Sequence, residues 1–282
     1  MNGFADLHIH TTASSGSLTP EAVVRCACGK GLRGIGITDI YTVEGCRQAA
    51  YAAKDLPLTV VPGVEIKSFY GDADIRILGY GIDTENELML SVLNRLSEMS
   101  FEACVNICAK LKKTGINISM AALFDRFGCH VITRGHIAEY LTEEGAVKSR
   151  GRAWEEYIGK GACAYVPEYK MSPEQSCTLI NLAGGISVLA APGELEPENE
   201  LEFRKMLRKL KAAGLAGIEV MHPNHTPHFE SFLKSEALRA GLLAFGGSDF
   251  QGELSPEIEI GTGTGTLMVP ADVLKCIPGV KI

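Results

Sequence analysis

No run of this chain is apolar for long enough to span a bilayer as a helix, and its Met1-Asn2-Gly3 start shows no basic stretch leading into an apolar one. The expectation is a soluble, cytoplasmic protein with no membrane partner. A basic surplus is missing as well: 27 Lys and Arg stand against 34 Asp and Glu, a formal net charge of -7. Nonspecific affinity for long nucleic acid comes mainly from neutralised phosphates, so this balance argues against such a partner. A short phosphorylated ligand held by a few local cations stays open. Nine cysteines are present, but they are scattered, odd in number and without the paired spacing of a zinc ribbon or knuckle, and they read as reduced core thiols. The chain also lacks an internal repeat, a low-complexity linker, a Ser-His-Asp arrangement and a phosphate-cradling glycine loop. With 46% hydrophobic and 22% charged residues over 282 positions, what is there is enough for one large globular domain with an insertion.

Asp6-Leu7-His8-Ile9-His10-Thr11-Thr12 is the most informative stretch. Phe4 to Ile9 reads as a short strand, and because side chains alternate faces along a strand, His8 and His10 project the same way. A strand end can thus offer two nitrogen ligands to zinc, manganese or iron, although a plain polar strand end has the same pattern. Thr19, Pro20 and Glu21 mark a helix start, with cap, first-turn proline and an acid at the positive end of the dipole. Further strands are expected at Gly34 to Thr38, Leu58 to Glu65 and Ile75 to Tyr80, with a helix from Val43 to Ala53. Strand and helix in alternation favour a parallel sheet or barrel, with functional groups at the carboxyl ends of the strands, where Asp39 and Glu65 fall.

Helical periodicity then takes over at Leu88 to Thr114, Met120 to Phe127, Arg134 to Glu144 and Trp154 to Tyr157. The expected organisation is a barrel from residues 1–84 and 162–282, with a helical insertion at 85–161. Strands resume at Gly185 to Ala190, Gly217 to Met221 and Leu242 to Gly247, separated by helices at Leu201 to Ala213 and His228 to Ala240. Asp249 follows the last strand and two glycines that permit a tight turn. With His8, His10 and Glu65 it would complete a set of two nitrogens and two carboxylates, a mixture suited to manganese, zinc or iron.

Together these residues resemble the PHP (polymerase and histidinol phosphatase) superfamily, in particular its stand-alone bacterial phosphoesterases. The resemblance runs over nearly the whole chain, through Ile37-Thr38-Asp39, Pro62-Gly63-Val64-Glu65-Ile66, Ile77-Leu78-Gly79-Tyr80, Thr133-Arg134-Gly135-His136, Val188-Leu189-Ala190, Gly217-Ile218-Glu219-Val220 and Gly247-Ser248-Asp249-Phe250. It implies a distorted seven-stranded β/α barrel with a helical insertion and a cluster of two or three divalent metals. In this chain His8, His10, Glu65 and Asp249 match metal-binding positions, and His136 could reach the bridging side of Glu65. Other positions depart from the pattern: Ser15 stands for an aspartate, and Ile40, Arg76, Ala191 and Gln251 for histidines. Isoleucine and alanine have no lone pair to donate, and a guanidinium cannot ligate a metal at ordinary pH. Fewer ions than the usual cluster are therefore expected.

Arg76 either substitutes electrostatically for a missing cation, against Glu65 or a ligand phosphate, or is a solvated arginine on an exposed strand face. Arg134 matches a position near substrate phosphate, the bland alternative being a helix N-terminal residue. His222 and His225 fit a loop after the Glu219 strand, His228 reads as part of the turn into the following helix, and Cys129-His130 is a candidate for a stray metal site. The function implied is metal-dependent hydrolysis of a small phosphorylated substrate, with Arg134 and Arg76 offsetting phosphate charge. The alternatives are a catalytically weak or inactive barrel that binds a phosphorylated small molecule, and an interaction scaffold.

Overall fold

The structure is a computed structural model that describes residues 3–71, 73–195 and 200–281. Eight strands form one sheet: β1 (Phe4–Ile9), β2 (Gly34–Ile37), β3 (Thr59–Tyr70), β4 (Ala73–Tyr80), β5 (Ile186–Leu189), β6 (Leu215–Met221), β7 (Leu243–Gly246) and β8 (Val269–Pro270). Their order is β7-β6-β5-β4-β3-β2-β1-β8. The sheet curls until its two sides meet: Phe250 N donates to His8 O (3.3 Å) and His10 N to Phe250 O (2.9 Å), so the chain after β7 runs beside β1. The expected barrel is present, with one strand beyond the expected seven. The eighth is two residues long and antiparallel to β1.

The helices are α1 (Pro20–Gly29), α2 (Glu44–Ala52), α3 (Glu87–Lys113), α4 (Met120–Phe127), α5 (Arg134–Glu143), α6 (Arg150–Ala153), α7 (Pro173–Leu182), α8 (Glu200–Ala212) and α9 (Pro227–Ala240). The Thr19 cap and Pro20 open α1 as the sequence predicts, with Thr19 Oγ1 accepting from Ala22 N. Inside the barrel Leu7, Val61, Leu78, Tyr80 and Phe245 form a small core, while the opposite faces of the strands pack Ile35, Ile37, Ile66 and Ile77 under the helices. The insertion has a core of its own, running from Cys104 and Ile107 on α3 to Ile158 and Ala164. α3 joins the two: its first half sends Met89 and Leu93 into the outer barrel layer and its second half lines the core of the insertion.

Parallel alternation does not hold throughout. β4 runs antiparallel to both β3 and β5, because β4 follows β3 as a hairpin partner with no crossover helix between them. This reversal brings the amino end of β4, with Arg76 paired opposite Lys67, to the barrel mouth where the parallel strands end. The β3–β4 ribbon reaches toward the insertion from that mouth.

Candidate metal centre and cleft

His8 and His10 do point the same way from the end of β1, and both are fully buried. Glu65 from β3 and Asp249 after β7 join them. His8 Nε2 lies 3.2 Å from Glu65 Oε2 and 3.5 Å from Asp249 Oδ1, and His10 Nε2 lies 3.2 Å from Asp249 Oδ1 and 3.7 Å from Glu65 Oε2. Neither ring nitrogen of His10 has a hydrogen-bond partner among the described residues. Buried, unpartnered ring nitrogens beside two carboxylates suit a divalent cation, and single donor atoms of His8, His10 and Asp249 all fall within 4.8 Å of one another.

The backbone is shaped around this point. Gly247 packs so tightly on β1 that a Cβ there would stand 2.4 Å from both N and Cβ of His8, a contact only glycine permits. Asp6, buried in β1, accepts from Ser248 N (2.8 Å) and Gly261 N (2.7 Å) and ties the loop that carries Asp249 to the first strand. Asp249 itself has φ 55 and Ala191 φ 34, left-handed conformations that non-glycine residues seldom adopt. Asp39 holds the loop after β1, accepting from Thr11 N (2.7 Å), Thr11 Oγ1 (2.8 Å) and Ser14 Oγ (2.6 Å).

Two of the departing positions aim donors at Asp249. Arg76 NH1 is 2.6 Å from Asp249 Oδ2 and 3.4 Å from Glu65 Oε2, and its NH2 is 2.8 Å from Glu194 Oε2. Gln251 Nε2 donates to Asp249 Oδ1 at 3.1 Å. Arg76 is therefore a guanidinium turned into the site, not a solvated arginine. Burial works against charge on Glu65, but Arg76 and then His8 more than offset it and hold the carboxyl down at about 2. Asp249 is held well below its usual range in the same way, burial being outweighed by Arg76 and His8. Of the other changed positions, Ile40 is buried and bridges to Glu65 through the backbone, and Ser15 is buried with its hydroxyl unpartnered among the described residues.

His136 is not brought to this cluster. It occupies the third position of α5, where Nδ1 accepts from Thr133 N at 3.0 Å, Nε2 faces Cys129 Sγ at 3.5 Å, and the ring lies against Phe127. Burial, with Lys67 and Arg150 adding to it, pulls its pKa down to about 3. Cys129 and His130 part company, one buried and the other exposed, and neither joins a group of donor atoms close enough for an ion among the described residues.

Sequence reasoning gave Glu219 no task and left open what His222 touches. Glu219, buried in β6, meets His8 Nδ1 through Oε1 at 3.1 Å and Oε2 at 3.3 Å. His222 projects its Nε2 to 4.0 Å from Asp249 Oδ2, and that nitrogen is buried without a partner among the described residues. The signal for Glu219 was a single acid in an otherwise apolar strand. His225 is a clamp: its Nδ1 donates to Val220 O (2.8 Å) and its Nε2 accepts from Gly193 N (3.1 Å).

A cleft of about 590 Å³ opens beside the cluster, between the β3–β4 ribbon and the insertion. Its walls carry five basic side chains, Lys67, Arg76, Arg134, Lys160 and Lys170, against three acidic ones, Asp74, Glu168 and Glu194, which pair with Lys170, Arg134 and Arg76, together with the aromatic rings of Trp154 and Tyr165. Arg134 lies over Tyr165 at 5.5 Å and bonds to Val166 O, while its Nε stands 3.4 Å from Glu168.

Histidines and carboxylates thus gather at the barrel mouth beside the cleft, a donor set that suits a divalent ion. Residues 6–238 match the PHP domain, and the chain belongs to that family. It is 32% identical over 270 residues to the 5'-3' exoribonuclease Rnm of Escherichia coli (strain K12), covering 95% of this chain and 90% of that protein. It is 31% identical over 250 residues to a 3',5'-nucleoside bisphosphate phosphatase of Chromobacterium violaceum, covering 87% and 86%. A solved structure from Bifidobacterium adolescentis, classed by inference as a metal-dependent phosphoesterase, superposes with a TM-score of 0.84 at 26% identity, covering 96% of this chain and 94% of that one. No helix among the described residues is long and apolar enough to cross a membrane.

Proposed function

We propose that this protein is a metal-dependent phosphoesterase that hydrolyses a small phosphorylated substrate, nucleotide-like or a sugar or amino-alcohol phosphate, with fewer ions than the usual family cluster. The observation that carries the reading is the convergence of His8, His10, Glu65 and Asp249, from β1, β3 and the turn after β7, on one buried point beside a cationic cleft. His8, His10 and Asp249 would hold the ion, with Glu65 at its side. A manganese, zinc or iron ion there supplies a Lewis acid that polarises a phosphoryl oxygen. Arg76 stands in for a second cation: its one charge is shared among Asp249, Glu65 and Glu194 where the histidine of the resemblance would have ligated metal. Arg134, in the wall of the cleft, would take a phosphate oxygen by giving up its bonds to Ile158 O and Val166 O, and Arg76 would offset charge from the other side. The activities borne by the relatives, on a nucleoside bisphosphate and on RNA from its 5' end, favour a nucleotide-like phosphate ester as the first substrate to try.

One observation favours a second reading, a weakly active or inactive barrel that binds a phosphorylated ligand. Asp249 already receives Arg76 and Gln251, so its lone pairs are contested before any ion arrives. Metal content of protein purified without chelator, followed by phosphate release from a 3',5'-nucleoside bisphosphate with added manganese, separates the two. Release that depends on manganese supports the enzyme. A bisphosphate that raises the melting temperature yet is never turned over supports the binder.

A further inference from the structure

We propose that Glu219 is a positioning residue that fixes which nitrogen of His8 meets the cation: it accepts a hydrogen bond from Nδ1–H, keeps the proton on that nitrogen, and leaves the Nε2 lone pair facing the barrel mouth. The inference rests on the metal reading above. His8 has carboxylates on both sides of its ring. On the Nε2 side are Glu65 and Asp249, with His10 converging on the same point. On the Nδ1 side there is Glu219, at 3.1 Å and 3.3 Å through its two oxygens.

Glu219 is wholly buried, between Ile218 and Val220 that are equally buried. A carboxylate in that setting needs its oxygens satisfied, and the second partner is Ala191 N, which donates to Oε2 at 2.8 Å. Ala191 is a position where the resemblance leads one to expect a ligating histidine. Its methyl group offers no ligand, but the left-handed turn there, with φ 34, presents the amide to Glu219. The position has lost its side-chain ligand and keeps a main-chain role.

The same atoms permit a competing arrangement, with an ion on the Nδ1 side held by His8, Glu219 and His222, whose donor atoms also lie within 4.8 Å of one another. His222 decides against it. Its Nδ1 accepts from Asn224 N at 3.2 Å, so the ring proton sits on Nε2, and that nitrogen has a proton to give in place of a lone pair. A carboxylate on the far nitrogen is also the arrangement that orients a metal-bound imidazole and raises its basicity, and losing such a partner typically costs about 10–100-fold in metal affinity.

The test uses the full chain as wild type, Glu219→Gln and Glu219→Ala, titrated with zinc against a competing chelator, with 15N spectra of the histidine side chains in the zinc-loaded protein. Expected is a wild-type His8 bound through Nε2 with Nδ1 protonated, zinc affinity lower by about 10–100-fold in Glu219→Ala, and a smaller loss in Glu219→Gln, whose carbonyl oxygen at the Oε2 position can still accept from His8 and Ala191 but carries no charge. The wild-type spectrum needs no variant, so the proposal stays exposed even if Glu219→Ala does not fold. Zinc on Nδ1 of His8, or equal affinity in wild type and Glu219→Ala, overturns this inference while leaving the metal reading in place. A wild-type chain that takes up neither zinc nor manganese overturns the metal reading and this inference with it.

Discussion

Removing the guanidinium of Arg76 should destabilise the metal-free protein and make it depend on an ion. In Arg76→Met the alkyl stem keeps its packing, but Asp249 loses a contact of 2.6 Å and Glu65 one of 3.4 Å. Both carboxylates lie mostly out of water, Glu65 1% and Asp249 14% exposed. Stripping one partner from a fully buried ion pair costs about 3–5 kcal/mol, and because Arg76 is 18% exposed the lower end, about 3 kcal/mol, is expected here. For a chain of this size that corresponds to roughly 6–9 °C in melting temperature, at about 2–3 °C per kcal/mol. A divalent ion that binds the folded state at about 100 times its Kd returns about 2.7 kcal/mol. Manganese or zinc should therefore raise the melting temperature of Arg76→Met by more than it raises that of wild type, where the tethered charge competes. Thermal melts with and without the ion, beside metal analysis of Arg76→His, read this directly. A variant that melts with wild type, an ion-induced shift equal in the two proteins, or no gain of metal in Arg76→His would refute the idea that Arg76 fills a cation position.

Arg134→Ala is expected to raise KM for a phosphorylated substrate by roughly 10–100-fold, the worth of a charge-assisted hydrogen bond, with kcat less affected; an unchanged KM removes Arg134 from the phosphate site. Gly247→Ala drives a methyl group to 2.4 Å from the His8 backbone, which cannot yield, so a loss of about 3 kcal/mol or more is expected together with loss of metal uptake; a melting temperature within about 1 °C of wild type would contradict the packing argument. His136 is held neutral by burial with a pKa near 3 against 6.5 when unfolded, so the unfolded chain binds the extra proton between those values. Its contribution to stability is unchanged above pH 6.5 and falls as pH drops toward 3, by up to about 1.4 kcal/mol per pH unit. Urea unfolding at pH 7 and pH 5 should show a smaller loss in His136→Gln than in wild type, and equal losses would sink the assignment.

The parts of the site that rest on strand alternation were legible in the sequence. His8 and His10 share a face because the period of a strand is two, and Asp249 follows β7 at an end that an α/β alternation collects at that mouth; Glu65, expected at a strand end, lies inside β3, which runs on to Tyr70, and reaches the site from there. Side-chain alternation is the same for both strand directions and so did not show that β4 is antiparallel; the short gap between Glu65 and Ile75, too short for a crossover, was the signal that went unread. Helix α7 was overlooked although Ser172 and Gln175 form a capping box at its start, a signature readable from their spacing. β8, at two residues, has no period to detect. His136 illustrates a different limit: its place in Thr133-Arg134-Gly135-His136 suggested a ligand, but at the third position of α5 its ring turns back to the Thr133 amide, a local bond that sequence likeness does not reveal. Glu219 was quoted as part of a motif and given no task, because its importance lies in contact with a residue 211 positions away.

The barrel closes where His10 N meets Phe250 O and Ser248 N meets Asp6 Oδ1, and the candidate ligands stand on opposite lips of that closure, His8 and His10 on one and Asp249 on the other. An ion shared among them would rivet the first strand to the last turn of the barrel and cinch almost the whole polypeptide into a single ring. Tying together such distant points shrinks the unfolded ensemble more than any local clip can. The binding of a small cation would then be felt far from the pocket, as slower amide exchange at Ile9 and Phe250 and slower unravelling of the barrel from its ends.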